Sequence, residues 1–418
     1  MISFIRGFNA VVFVVLTICY SYQIAYLIIS LVRKSKVYTA KKLHRYAVLI
    51  SARNESAVIA QLIDSIKRQD YPEELIDIYV VADNCTDNTA QVAEEAGAVV
   101  YERFDTSKIG KGYALDYLLK AILKSHGADE YEGYFVFDAD NLLDSKYVFE
   151  MNSVFDQGYR IVTGYRNSKN YDTNWISAGY SLWFLRESKY LNNSRMLFGT
   201  SSAISGTGFL VHSDIINANG GWIHHTLTED IEFTVDNVIN GEIIGYSGGA
   251  VLYDEQPVTF NQSWFQRLRW AKGFYQVVTG YGVRLIKGIC KGKSFSCFDM
   301  LMTVSPAVFL SVAAVLVNAG FLVYAVIGVN SITIFNITLS SILHTLVYYY
   351  ISFFIVGAIT AATEWNNIQG ASGRKLRYMF TFPLFMLTYI PIAIVALFKK
   401  VEWKPISHNV VKSIEEFH

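Results

Sequence analysis

Gln266, Arg269 and Trp270 stand at i, i+3 and i+4, a spacing that puts all three on one face of a helix. That face offers a hydrogen-bonding amide, a permanent cation and a flat apolar ring, a set suited to a substrate with hydroxyls, phosphate and a sugar face. Upstream, Asp138-Ala139-Asp140 and Thr228-Glu229-Asp230 add two acidic sites. Two aspartates with one residue between them after an apolar run suit a divalent cation shared with a diphosphate, because Mg²⁺ and Mn²⁺ take carboxylate oxygens and keep room for phosphate. Considered alone, the pair reads equally well as a solvated turn. An EF-hand is excluded, since Phe149 holds the position of the twelfth-residue Glu and no Gly occupies the sixth.

The remaining signals each have a structural alternative. Thr226-x-x-Glu229 fits a helix capping box, which by itself outweighs a reading in which Asp230 faces a cleft and accepts a proton. Gly110-Lys111-Gly112 places a cation between flexible residues, as a phosphate-contacting loop would, or marks a turn before a helix from Tyr113 to Lys124. Gly206-Thr207-Gly208 lets backbone come close to a ligand, or marks a bulge. His224-His225 invites a metal reading, which the absence of further His or Cys at ligand spacing weakens.

These groups need elements to position them. Residues of roughly 43 to 255 alternate short apolar runs with helical stretches, the pattern of an α/β sheet. Tyr46–Ile50, Ile78–Ala82, Ala98–Glu102 and Tyr134–Phe137 read as buried strands. Polar groups follow them: Ser51 to Ser56, Asp83 to Asp87, and Asp138 to Asn141. Open α/β sheets bind ligands just past such strand ends. No G-x-G-x-x-G follows the first strand, so no dinucleotide cofactor is expected.

Uncharged runs flank this domain. Phe8 to Val32 is long enough to span a bilayer. Arg33, Lys34, Lys36, Lys41, Lys42 and Arg45 follow it against Arg6 before it, so the positive-inside rule makes it an anchor with its C-terminal end in the cytoplasm. Met300 to Thr363 carries no Asp, Glu, Lys or Arg, room for two spans with a turn near Gly328-Val329-Asn330-Ser331. Tyr378 to Phe398, interrupted by Pro383 and Pro391, has basic flanks on both sides and either spans or lies at the interface. The division is an anchor at 1–35, an α/β domain at 43–260, interface helices at 261–299, membrane helices at 300–398 and a polar tail at 399–418. Thirty-six basic and 36 acidic residues argue against a nucleic-acid partner. Cys19, Cys85, Cys290 and Cys297 form no C-x-x-C pair, consistent with a reduced, cytoplasmic domain.

The order of strand-end Asp, G-K-G, D-A-D, G-T-G, T-E-D and Q-R-L-R-W resembles the family-2 glycosyltransferases of bacterial membranes, the group including cellulose, hyaluronan and poly-N-acetylglucosamine synthases. The resemblance covers about Tyr46 to Trp270 plus the flanking segments. It implies a cytoplasmic GT-A (nucleotide-diphospho-sugar transferase) α/β domain inserted between transmembrane helices, a UDP-sugar donor, Mg²⁺ or Mn²⁺, and inversion at the anomeric carbon. It further implies that Asp83 and Glu55 lie at the nucleoside, Lys111 at the diphosphate, Asp138 at the nucleotide and Asp140 on the metal. Asp230 would be the catalytic base, Arg269 would hold the diphosphate, and Gly206, Thr207, Glu229, Gln266 and Trp270 would face the acceptor. Two departures are Ser51-Ala52-Arg53, where many relatives have a Pro and an aromatic, and Arg267-Leu268 in the variable pair of the last motif. The expected enzyme is a membrane-bound, multi-pass hexosyl- or N-acetylhexosaminyltransferase that builds a cell-surface or secreted polysaccharide on a glycan acceptor. The alternatives are transfer of one or two sugars to a membrane lipid, or a transporter or nucleotide-sugar sensor without catalysis. Three C-terminal segments are few for a polymer channel, which leaves a homo-oligomer or an accessory membrane partner to complete one.

Overall fold

Among the described residues, eight strands form one sheet: β1 (Tyr46–Ala52), β2 (Ile76–Asp83), β3 (Val99–Arg103), β4 (Gly133–Asp138), β5 (Leu142–Leu143), β6 (Ile161–Ser168), β7 (Phe209–His212) and β8 (Ile244–Asp254), in the order β3-β2-β1-β4-β7-β6-β8-β5. The computed structural model describes residues 2–292, 295–328, 331–406 and 408–417. β3, β2, β1 and β4 run parallel, and β7 pairs antiparallel with both β4 and β6. The four strands expected from the sequence are β1 to β4, each one or more residues longer than or shifted from its apolar run. Apolar residues fill both faces because a strand sends successive side chains to opposite sides. Val48, Ile50, Phe135 and Phe137 pack in one core, and Ala47, Leu49, Tyr134 and Val136 in the other. This is a GT-A-like α/β fold.

Among the described residues, four helical stretches are long and apolar enough to cross a membrane: Ser3–Val32, Phe295–Gly328, Ile332–Thr363 and Ser372–Phe398. They expose apolar side chains such as Phe13, Leu343 and Ile351, the surface a bilayer would cover. Two residues of the turn expected at 328–331, Val329 and Asn330, lie outside the described residues. A buried ion pair docks the first and second stretches onto the domain. Arg195 Nε and Nη2 donate to the two Asp299 oxygens at 2.7 and 2.9 Å, and the Tyr22 and Tyr26 hydroxyls donate to the same carboxylate at 2.7 and 2.8 Å. With its lone pairs shared this way, the buried carboxylate is compensated rather than stranded.

The helix Phe260–Cys290, 31 residues long, lies between the domain and the apolar helices. Arg267, whose effect the sequence left open, is its anchor. The guanidinium is fully buried, donates to Phe385 O at 3.0 Å and Thr388 Oγ1 at 2.6 Å, and sits 4.4 Å from the centre of the Phe385 ring. Arg269 and Trp270 of the same helix meet the domain, at Leu227 and at Tyr180 and Phe184. The segment 372–398 breaks into Ser372–Leu387 and Tyr389–Phe398. Its early part meets the domain where Tyr378 packs on Tyr171, and just past its far end Lys399 reaches the Phe265 ring of the helix Phe260–Cys290.

Candidate active site

Strand register gathers the acidic residues. β2, β1 and β4 lie side by side with Ala52 opposite Ala82 and Ser51 opposite Asp138, so the residues after them leave the sheet at one edge. Asp83, the last residue of β2, is buried against the Arg103 guanidinium, which also reaches Asp105 at 3.2 Å. The loops after β1 and β2 turn through Asn54 and Asn84, with φ of 59° and 53°, a left-handed conformation that Asn tolerates better than most residues. Asn54 Oδ1 accepts the Thr86 N–H at 2.7 Å, tying the two loops together. Glu55 follows in the first loop and is buried. Burial, together with the nearby charges of Asp140 and Asp138, pushes its carboxyl up to about 7 against the lowering effect of His408.

Asp138 is half-buried and Lys111 Nζ donates to it at 2.5 Å and to Gly206 O at 2.9 Å. Lys111 is the first residue of the helix Lys111–His126, so the helix starts earlier than the Tyr113 expected and no free G-K-G loop exists. Gly112 is needed for packing: a Cβ there would stand 2.2 Å from His224 O. Thr207 ties the strand end to the glycine segment, accepting the Asp138 N–H at 2.8 Å and donating to Asn141 Oδ1 at 2.6 Å. Asp140 is buried and accepts the Glu255 N–H at 2.8 Å. Burial opposes its charge, but His408, Lys169, that N–H and Arg166 together hold it below the usual carboxylate range.

Asp230 is the second residue of the helix Glu229–Asn240, and its Oδ2 accepts the Gly206 N–H at 2.6 Å. Gly206 has φ +84°, a backbone that glycine adopts freely. Burial pushes both Asp230 and Glu229 upward, Glu229 to about 7, with the Asp230 charge adding to the Glu229 shift. The capping box is not formed. Thr228 is the N-cap and makes no side-chain cap bond, and Glu232 instead accepts the N–H groups of His225 and Thr226 at 3.0 and 2.9 Å. Arg269 Nη1 donates to Leu227 O at 2.7 Å, which brings the last motif against the T-E-D segment. Trp270 packs edge-on against Tyr180 and Phe184, with centroids at 5.7 and 6.1 Å. Gln266 Oε1 has no hydrogen-bond partner among the described residues.

His224 and His225 are structural. His224 Nε2 pairs with Asp236 at 3.2 Å, and His225 stacks on Tyr113 with centroids 4.2 Å apart. Among the described residues no group of three His, Cys, Asp or Glu side chains gathers as a ready metal site. The donor chemistry at Asp140 nonetheless fits a divalent cation: a buried carboxylate held in its ionised form, the hard oxygen donor that Mg²⁺ or Mn²⁺ accepts as a ligand.

The site contains residues the sequence reading missed. The tail returns over the strand ends: His408 Nδ1 lies 2.9 Å from a Glu55 carboxylate oxygen, and the Asn409 and Val410 N–H groups reach Glu255 at 3.0 and 2.8 Å. Burial works against the His408 charge, yet Asp140, Glu55 and Glu255 outweigh it and push its pKa up to about 10. Lys169 is buried among Asp140, Glu255 and Asp254, and its Nζ has no hydrogen-bond partner among the described residues. Arg166 Nε donates to Asp254 at 2.8 Å. Arg166 and Lys169 were detectable, since two cations stand at the end of a buried strand; a lone His in a polar tail carries no local signal.

A family profile described as "Glycosyltransferase like family 2" matches residues 44–273. Among curated relatives, the chain is similar to the "Probable glycosyltransferase YdaM" of Bacillus subtilis, 27% identical over 289 residues, covering 63% of this chain and 63% of that protein. It is also similar to a beta-monoglucosyldiacylglycerol synthase of Nostoc sp., 27% identical over 281 residues, covering 64% of this chain and 57% of that protein. A third relative is a poly-beta-1,6-N-acetyl-D-glucosamine synthase of Staphylococcus epidermidis, 25% identical over 232 residues, covering 55% and 54%. The chain thus spans between half and two thirds of the length of these relatives. Among solved structures, the mannosyltransferase PcManGT from Pyrobaculum calidifontis, in complex with GDP-Man and Mn²⁺, matches with TM-score 0.57 at 18% identity, over 94% of this chain and 99% of that one. At that identity the likeness speaks for the fold alone.

Proposed function

This chain belongs to glycosyltransferase-like family 2, and from that premise we propose that it transfers a hexosyl or N-acetylhexosaminyl group from a UDP-sugar to an acceptor hydroxyl, with inversion, to build a polysaccharide. The observation that carries the reading is the Asp230 carboxylate, held by the Gly206 N–H at 2.6 Å while Lys111 joins the same glycine segment to Asp138. The Asp230 carboxylate thus shares the Gly206 backbone with Lys111 and lies near the Arg269 charge.

In this reading Asp83 and Glu55 receive the nucleoside, Asp138 lies at the nucleotide, and Lys111 and Arg269 orient the diphosphate. A divalent cation held at Asp140 would offset the charge developing on the leaving UDP. Asp230 removes the proton of the acceptor hydroxyl as its oxygen attacks the anomeric carbon from the face opposite the departing diphosphate, a step worth about 10²–10⁴-fold. Its raised pKa suits a base that must take a proton near neutrality. Trp270, with Gln266 one turn earlier, orients the acceptor sugar, with Gly206, Thr207 and Glu229 completing that side. The domain faces the cytoplasm, and the apolar helices carry the product away or present a lipid.

The glycolipid reading has one specific observation in its favour, the beta-monoglucosyldiacylglycerol synthase relative. Purified full-length enzyme given a panel of UDP-sugars, each in excess with Mn²⁺ and membrane lipid, separates the two. Long chains are expected; products that stop at one or two sugars on a lipid while donor remains would replace the polymer with a glycolipid. No transfer from any UDP-sugar would remove the donor assignment.

A further inference from the structure

Glu187 lies outside every motif of the sequence, yet its carboxylate reaches the segment that holds Asp230. The helix Trp175–Arg186 passes at Glu187 into a π-helical turn, Glu187–Asn192, a form that costs regular hydrogen bonding and recurs at functional sites. The Ser205 hydroxyl donates to Glu187 Oε2 at 2.9 Å. Ser205 O accepts Arg166 Nη1 at 2.6 Å, and the next residue, Gly206, gives its N–H to Asp230 and its carbonyl to Lys111. Glu187, Ser205, Arg166 and Phe184 line a cavity of about 10 Å³, room for a single water. The Glu187 carboxylate therefore has one side-chain partner on the catalytic segment and space beside it.

The other end of the turn grips the apolar helices. Ser30 Oγ donates to Lys189 O at 2.7 Å, the Tyr190 hydroxyl meets Thr363 Oγ1 at 2.5 Å, and Lys189 Nζ stands 3.6 Å from Glu364. The turn is thus fixed by the helices and bears on Ser205 through one side chain. A carboxylate general base needs its free lone pair aimed at the acceptor hydroxyl, and an N–H on its other oxygen sets that direction. Gly206, with no side chain of its own to pack and a left-handed φ, depends on its neighbours for its orientation.

We propose that Glu187 is a positioning residue for the reaction: through Ser205 it fixes the Gly206 peptide that aims Asp230 at the acceptor. This rests on the reading of Asp230 as the base. Glu187→Ala, Glu187→Gln, Ser205→Ala and the Glu187→Ala/Ser205→Ala double variant of the full-length enzyme test it. UDP release is followed with the UDP-sugar that the wild type uses, and binding of one UDP per chain with Mn²⁺ serves as the check that each variant is folded. Glu187→Ala should lower kcat about 10-fold or more with the donor KM within about 3-fold, the signature of a misaimed group rather than weaker binding. Glu187→Gln, which keeps an oxygen for Ser205 to donate to, should recover most of that loss. Ser205→Ala should match Glu187→Ala, and the double variant should be no worse than either, since all break one contact. Wild-type kcat in Glu187→Ala, equal losses in the Ala and Gln variants, or losses that multiply in the double variant each overturn the proposal. Asp230→Asn run in parallel separates it from its premise: an inactive Asp230→Asn beside an unaffected Glu187→Ala removes the positioning role alone, whereas an active Asp230→Asn removes the base and this role together.

Discussion

His408 and Glu55 stand 353 positions apart in sequence, and His408 Nδ1 lies 2.9 Å from the Glu55 carboxylate. The contact brings a second cation, beside Lys169, to the acidic cluster of Glu55, Asp140 and Glu255. Because the His408 pKa in the fold, about 10, lies above the unfolded value of about 6.5, its contribution is fully present below the unfolded value and disappears as pH rises through the folded one. His408→Ala should therefore unfold at a lower temperature than the wild type near neutral pH, with the difference shrinking as pH approaches about 10. Thermal unfolding of the detergent-solubilised protein across that range reads this out. A gap that stays constant with pH would make the contact one of packing rather than charge.

Asp230→Asn keeps the shape of the carboxylate and its acceptor oxygen for the Gly206 N–H but cannot take a proton. Turnover should fall by at least ~10²-fold while UDP binding is retained. In the wild type, the base must be ionised to act, so kcat falls as pH drops through its pKa. Burial raises both members of the Glu229–Asp230 pair, which places that acid limb above the ordinary Asp range of about 3.9. Because the two are adjacent, the limb belongs to the pair and not to either residue. A variant retaining more than about a tenth of the wild-type rate would exclude Asp230 as the base.

Asp140→Ala removes the buried carboxylate proposed to hold the cation. The loss of Mn²⁺ affinity should be at least the ~10–100-fold that losing even an outer partner of a metal ligand costs. Titration of Mn²⁺ against the spin signal of the free ion measures it without any turnover. Full wild-type activity in excess chelator would show that the reaction needs no divalent cation.

Much of the site was legible because buried parallel strands announce themselves. Apolar runs ending in Asp83 and Asp138 place those residues at one sheet edge once the strands are paired, and the i, i+3, i+4 spacing of Gln266, Arg269 and Trp270 holds on any helix. Local pattern misjudged what neighbours decide. Lys111 begins a helix instead of a loop because Gly112 lets it pack against His224, and Thr226 loses its capping role because Glu232 caps the segment from the other side. His408 and Glu187 were invisible for a stronger reason. Each acts through a partner brought near by the chain's return path, His408 across 353 positions and Glu187 across 18, and a single side chain in a polar tail or at a helix end carries no periodicity to betray it.

The segment 372–398, with basic residues on both flanks, has the length and apolarity to cross a membrane, but its contacts argue that it begins and ends on one side. Near its start, Lys375 Nζ donates to Trp365 O and Tyr378 packs on Tyr171 of the catalytic domain. Past its end, Lys399 and Lys404 both reach the Phe265 ring, and His408 joins Glu55. Along its length Arg267 binds Phe385 O, the Tyr275 hydroxyl donates to Ala393 O and Lys272 donates to Ala396 O, so it lies against the helix Phe260–Cys290. A crossing would put the tail across a bilayer from Glu55. In a chain freed of its four native cysteines, Glu402→Cys should therefore resist an impermeant thiol reagent in intact cells and react once the cells are opened, as should Lys36→Cys. Ile327→Cys, exposed at the far end of the second apolar stretch, should react in intact cells. Labelling of Glu402→Cys from outside while Lys36→Cys stays protected would mean that the segment crosses, and the tail could not then complete the site.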